Sequence, residues 1–224
     1  MTEDEVFRER LLGLSTCNVS DALDKVGIKG IAIGIRPLWN CGRAAGRALT
    51  IKIVAAGAAT SQHHLGTEAI DAGADGDLIV VDNGGRRDVS CWGGILATGA
   101  RRKGISGVVI DGACRDADEY EGIGLPVYSR AVVPCSARGR VMQESFNSLI
   151  QLGGVQVRAG DWVLADENGV AVIPIEEVGR VLLEAERLLE REEAMTAAIL
   201  GGATMAEVDR EFRYEKMLDV DGKG

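Results

Sequence analysis

Residues 107–119 read Gly107-Val108-Val109-Ile110-Asp111-Gly112-Ala113-Cys114-Arg115-Asp116-Ala117-Asp118-Glu119. The run at 108–111, rich in β-branched side chains, predicts a buried parallel strand. Gly112 and a polar cluster follow at once, so Arg115 and Asp116 stand just past the strand's C-terminal end. Open α/β sheets bind their ligands there. A guanidinium fork at such a mouth grips a carboxylate or a developing oxyanion. A carboxylate beside it can hold a hard cation such as Mg²⁺. The same pair also reads as a helix N-cap with a salt bridge, and the sequence leaves both readings open.

Outward from this stretch, periodicity predicts strands at 48–55, 78–82, 107–111 and 126–131. Helices are expected at 64–73, 90–103 and 116–121. Such alternation predicts a layered α/β domain with parallel pairing. Upstream, a helix is expected over 4–14 and another, capped by Asn18 or Ser20, to about Val26 before Gly27; 28–47, rich in Gly and with Pro37, reads as loop with short strand pieces. Beyond residue 150 come short strands at 155–158, 162–166 and 170–174. Asn168-Gly169 is a hairpin signal, so this part reads as antiparallel. The segments 76–84 and 160–169 each start a buried strand from Gly-Asp, a recurrent local solution rather than a repeat. Residues 176–200 read as a long, charge-dense helix, either a solvated face or an arm on a neighbouring subunit. Thr204 and Glu207 form a capping box for a final helix.

Composition narrows the function classes. The 224 residues are 46% hydrophobic and 26% charged, with 4% aromatics, so the core is expected to be aliphatic. A net charge of −9 argues against nucleic-acid binding. The run Arg101-Arg102-Lys103 is better placed at a helix C-terminus. Five cysteines without a Cys-x-x-Cys spacing predict a reducing, cytoplasmic setting. No apolar run has the length of a membrane span, and the acidic start is unlike a signal peptide.

Three glycine-rich junctions accompany the strands: 82–86, 92–96 and 111–116. Backbone amides at the helix start Gly93-Gly94-Ile95-Leu96 suit an anion. With Arg115 they would bracket a small oxoacid. No phosphate loop, dinucleotide fingerprint or serine elbow is present. His63 and His64 are adjacent and would not readily ligate one ion together; either they are structural or one lines the pocket. Cys114 reads as a buried filler rather than a nucleophile.

The blocks at 74–82, Trp92-Gly93-Gly94-Ile95-Leu96-Ala97-Thr98, 107–116 and 160–174 resemble the RraA-like family, over roughly residues 15–200. Its enzymatic members include 4-hydroxy-4-methyl-2-oxoglutarate/4-carboxy-4-hydroxy-2-oxoadipate aldolases. The resemblance implies a swivelling-type α/β/β sandwich with mixed sheets. It implies one core domain over 1–175 and a helical extension over 176–224 that packs on a neighbouring subunit of a trimer or hexamer. It implies a metal-dependent lyase that cleaves a pyruvate-derived 4-hydroxy-2-oxoacid, with companion oxaloacetate decarboxylation. Asp116 would then ligate Mg²⁺ or Mn²⁺, and Arg115 would bind pyruvate and stabilise its enolate. The amides of Gly93, Gly94, Ile95 and Leu96 would hold the carboxylate. Glu192, or next Glu193, of the adjacent subunit would complete the site, and His63 falls where the aldolases carry an asparagine. One departure stands out: the aldolases have an acidic residue where this chain has Gly94. That leaves two other readings, a non-catalytic regulatory or binding protein, and a lyase or hydratase for a different oxoacid or sugar acid. The ribonuclease E regulators of the family typically lack the aspartate that this chain keeps.

Overall fold

A computed structural model describes residues 1–59 and 64–213. The central strands are β3 (Ala44–Ala55), β4 (Leu78–Ser90), β5 (Gly107–Cys114) and β6 (Val127–Val132), paired in parallel in that order. Three helices cross between them: α3 (Thr67–Ala72), α4 (Gly94–Lys103) and α5 (Tyr120–Ile123). The expected parallel α/β unit is therefore present.

β3 is long enough to serve two sheets. Its first residues pair antiparallel with β10 (Trp162–Ala165), which pairs antiparallel with β11 (Val170–Ile173), and β11 with β1 (Ile31–Ala32). The Asn168-Gly169 turn joins β10 to β11, as its chemistry predicts. The other end of β3 pairs with β7 (Val141–Phe146), and β2 (Arg36–Pro37) borders β6. β8 (Ile150–Leu152) and β9 (Val155–Val157) form a separate ribbon.

Side-chain alternation along these strands sets the layers. In β4, Ile79 and Val81 face α3, α4 and α5, while Leu78 and Val80 face the β8–β11 layer. In β10, Val163 and Ala165 join that inner β/β core, and Trp162 and Leu164 turn outward. The outward set is covered by α1 (Glu3–Leu12), α2 (Thr16–Val26) and α6 (Val178–Leu200). The result is an α/β/β sandwich with an outer helical layer. Each fully buried Val, Leu or Ile in it contributes about 1.5–3 kcal/mol.

Several boundaries moved for local reasons. α2 starts earlier than expected because Ser15 is the N-cap and Asn18 closes a capping box three residues on. The strand expected at 78–82 runs on to Ser90, because Arg86 and Ser90 still pair with β5; α4 therefore begins only at Gly94. The helix expected at 116–121 shrinks to α5 because Asp116 is left-handed (φ 56°) and cannot enter a right-handed helix. Val178, Val181, Leu182, Ala185, Leu188 and Met195 of α6 are buried on the chain's own α1, α2 and β10–β11. The helix thus closes one of this chain's own cores, whatever its outer face meets. α7 (Met205–Phe212) carries the Thr204–Glu207 capping box.

Candidate active site

The Arg115-Asp116 pair leaves the end of β5 fastened on both sides. The Arg115 amide donates to the Trp92 carbonyl (3.0 Å), and the buried Tyr120 hydroxyl donates to the Arg115 carbonyl (2.5 Å). Asp116 adopts its left-handed backbone, which short polar side chains tolerate. Its carboxylate folds back over the start of α4. Oδ2 accepts from the Gly94 amide (3.0 Å) and from Arg115 Nε (3.1 Å).

Asp116 therefore caps α4 from another segment, supplying what Gly93 at the N-cap cannot. Capping does not exhaust it. Both bonds fall on Oδ2, and among the described residues neither Oδ1 nor the two Arg115 Nη groups has a partner. The Arg115 and Asp116 side chains are 41% and 30% exposed. A Cβ on Gly93 would lie 2.7 Å from Asp116 Oδ2, so a side chain there would push the carboxylate off its present place over the start of α4. The amides of Ile95 and Leu96 have no acceptor among the described residues. They point the positive end of the α4 dipole toward an incoming anion.

These groups line a cavity of about 410 Å³. Gly93, Ile95, Leu96, Arg115 and Asp116 of the expected set meet there, and Gly94 lies beneath Asp116. His64 also lines it, and His63 lies outside the described residues. Ser136, Arg138 and Gln143, which sequence reasoning did not single out, line it as well. The Ser136-Ala137-Arg138-Gly139-Arg140 run was legible as a basic loop, but nothing local told which strand end it would face. Gln143 is buried; it accepts from the Gly66 amide (2.9 Å) and donates to Glu68 (3.2 Å), so it holds the start of α3.

Other expected residues lie elsewhere. Glu192 sits on α6, where its Oε2 accepts from Asn18 Nδ2 (2.7 Å), and it borders a shallow groove with Glu193 rather than this cavity. Within one chain it does not meet Arg115 and Asp116. The junction at 82–86 also stays apart, because the strand's alternation points Asp82 and Asp111 to the opposite face. There Asp82 accepts from the Gln151 amide, and Asp111 pairs with Arg130 and the Gly153 amide. Cys91 and Cys114 are buried, and burial pushes both thiols up, which suits inert fillers.

Among the described residues no three His, Cys, Asp or Glu side chains converge as a metal cage. Mg²⁺ and Mn²⁺ do not need one. They take one or two carboxylate oxygens and keep several waters, and Asp116 Oδ1 beside an open cavity fits that requirement. No helix among the described residues is long and apolar enough to cross a membrane.

The chain resembles several known proteins over most of its length. DlpA of Legionella pneumophila is 31% identical over 208 residues, 93% of this chain and 34% of DlpA, so the chain spans about a third of that relative. A Halalkalibacterium halodurans protein named "Putative 4-hydroxy-4-methyl-2-oxoglutarate aldolase" is 30% identical over 200 residues, 89% of this chain and 91% of its own length. The solved structure of an uncharacterized protein from Pseudomonas syringae pv. tomato matches with a TM-score of 0.83 at 29% identity, covering 91% of this chain and 96% of that one. A family model described as RraA-like, Aldolase/RraA, matches residues 16–172, and the chain belongs to that family.

Proposed function

We propose that the chain is a divalent-metal-dependent carbon–carbon lyase for a pyruvate-derived 4-hydroxy-2-oxoacid. The observation that carries this reading is one arrangement. The Arg115 Nη groups, Asp116 Oδ1 and the Ile95 and Leu96 amides have no partner among the described residues, and all four residues line one cavity. The Ile95 and Leu96 amides would hold the substrate carboxylate. Asp116 would hold Mg²⁺ or Mn²⁺; bound there, the ion supplies Lewis-acid polarisation of the 2-oxo group. As the hydroxyl proton leaves, the O–H pair forms the new carbonyl and the C3–C4 bond breaks. The electrons of that bond become the pyruvate enolate, whose oxygen Arg115 Nη groups would stabilise. Protonation at C3 then releases pyruvate. Oxaloacetate would yield the same enolate by losing carbon dioxide.

A base for the hydroxyl proton is expected from a second copy of the chain. Glu192 is the candidate, held by Asn18 on an α6 that also exposes Leu183, Ile199 and Leu200. A trimer or hexamer that brings this face to a neighbour's cavity completes the proposal, and the setting is read as cytoplasmic. The test is pyruvate release from 4-hydroxy-4-methyl-2-oxoglutarate and from oxaloacetate with Mg²⁺ and with EDTA. Turnover should require the metal, and equal rates in both would overturn the mechanism.

A second reading, a non-catalytic binding or regulatory protein, is favoured by the capping bond from Gly94 to Asp116, which a purely structural aspartate would also make. On that reading Mg²⁺ titrated into the protein gives no binding heat at this cavity.

A further inference from the structure

The turn after β5 sends two carboxylates, not one, to the start of α4. Asp116 Oδ2 lies 3.0 Å from the Gly94 nitrogen. Glu119 follows in the same turn, its amide donating to the Asp116 carbonyl (3.1 Å). Its Oε2 stands 1.8 Å from where a Cβ on Gly94 would sit, and its carboxyl carbon 2.9 Å from that point. Glu119 thus occupies the volume that any side chain at 94 would take.

Nothing in the fold accounts for that placement. The Glu119 carboxylate makes no hydrogen bond or ion pair among the described residues, and the residue is exposed. The Gly94 amide already donates to Asp116. Arg115 Nε is likewise turned to Asp116. Two negative groups thus lie at one helix end, where Asp116 also lines the cavity and the helix dipole favours anionic charge. A hard cation with a water shell supplies what is missing: one carboxylate binds it directly, and the other accepts from a coordinated water.

We propose that Glu119 is the second carboxylate of the ion site. It is a positioning residue that acts through the ion's water shell, and position 94 is glycine because this carboxylate fills its side-chain space. The inference rests on reading Arg115 and Asp116 as an ion-dependent lyase site.

The test uses Mn²⁺ alone as probe, with affinity read by electron paramagnetic resonance on the full chain and no substrate present. Glu119→Gln keeps shape and removes charge; it should weaken Mn²⁺ by about 10- to 100-fold and leave the metal-free melting temperature unchanged. Gly94→Ala should do the same by displacing the Glu119 side chain. Glu119→Ala should also weaken binding, and adding Gly94→Asp to it should restore tight binding, because the new carboxylate enters the vacated space. Wild-type Mn²⁺ affinity in Glu119→Gln, with affinity lost in Asp116→Asn, would overturn this inference and leave the lyase reading standing. Failure of the unsubstituted chain to bind Mn²⁺ would overturn both.

Discussion

Replacing Asp116 by Asn and, separately, by Ala distinguishes a helix cap from an ion ligand. In the folded chain the carboxylate makes two bonds, from the Gly94 amide at 3.0 Å and from Arg115 Nε at 3.1 Å. Removing a cap costs about 1 kcal/mol, within a range of about 0.5–2. The ion pair is worth well under about 1 kcal/mol, because its side chains are 41% and 30% exposed and solvent screens them. Asp116→Ala should therefore lose about 1–2 kcal/mol. For a chain of this size that lowers the melting temperature by about 2–8 °C. Asp116→Asn keeps a carbonyl oxygen for the Gly94 amide and should lose about half of that. Activity should not follow this order. An amide is a poor ligand for a hard cation, so both variants should fall to background in Mg²⁺-dependent pyruvate release. Thermal denaturation followed by circular dichroism, beside the coupled pyruvate assay, reads both quantities. Wild-type turnover by Asp116→Asn would show that the residue is a cap and nothing more.

Two further outcomes follow from the geometry. Arg115→Lys retains charge but loses the planar fork; kcat/KM should drop by about 100-fold with no change in melting temperature, and an unaffected rate would remove the guanidinium from the chemistry. Asp166 links the hairpin to α2. Burial pushes its carboxyl up, but bonds from the Thr16 hydroxyl and amide and from the Asn168 and Gly169 amides outweigh that and hold it below the usual carboxylate range. A depressed value means the fold favours the ionised form. That stabilisation is complete above the unfolded pKa of about 3.9 and is lost as pH falls through the folded value. Asp166→Asn should cost about 2–4 kcal/mol at neutral pH, with the gap to wild type closing below about pH 4. A gap that stays constant in urea melts across that range would contradict the assignment.

Much of this chain was legible one segment at a time. The run at 108–111, rich in β-branched side chains, and the abrupt polar cluster after it located a strand mouth, because periodicity and breaking residues act within a few positions of each other. The Asn168-Gly169 turn and the Thr204–Glu207 capping box were readable for the same reason. What escaped were contacts between segments far apart in sequence. Asp166 accepts from the Thr16 amide and hydroxyl and so ties the β10–β11 hairpin to the start of α2 across 150 residues. Arg138 and Gln143 reach the cavity only because β7 pairs back onto β3.

Local sequence specifies the α/β alternation, the place of Arg115 and Asp116 at a strand end, and a glycine-bounded helix start. These are consequences of local periodicity, turn chemistry and the φ/ψ limits of single residues. Packing of the folded chain makes Asp116 reach across to cap α4 with one oxygen and leaves the other without a partner among the described residues. It alone turned Asp82 and Asp111 to the far face, set Glu192 beside Asn18, and laid Glu119 over Gly94. Those outcomes depend on which face each strand presents once the layers pack, and packing is a property of the whole chain rather than of any window of it.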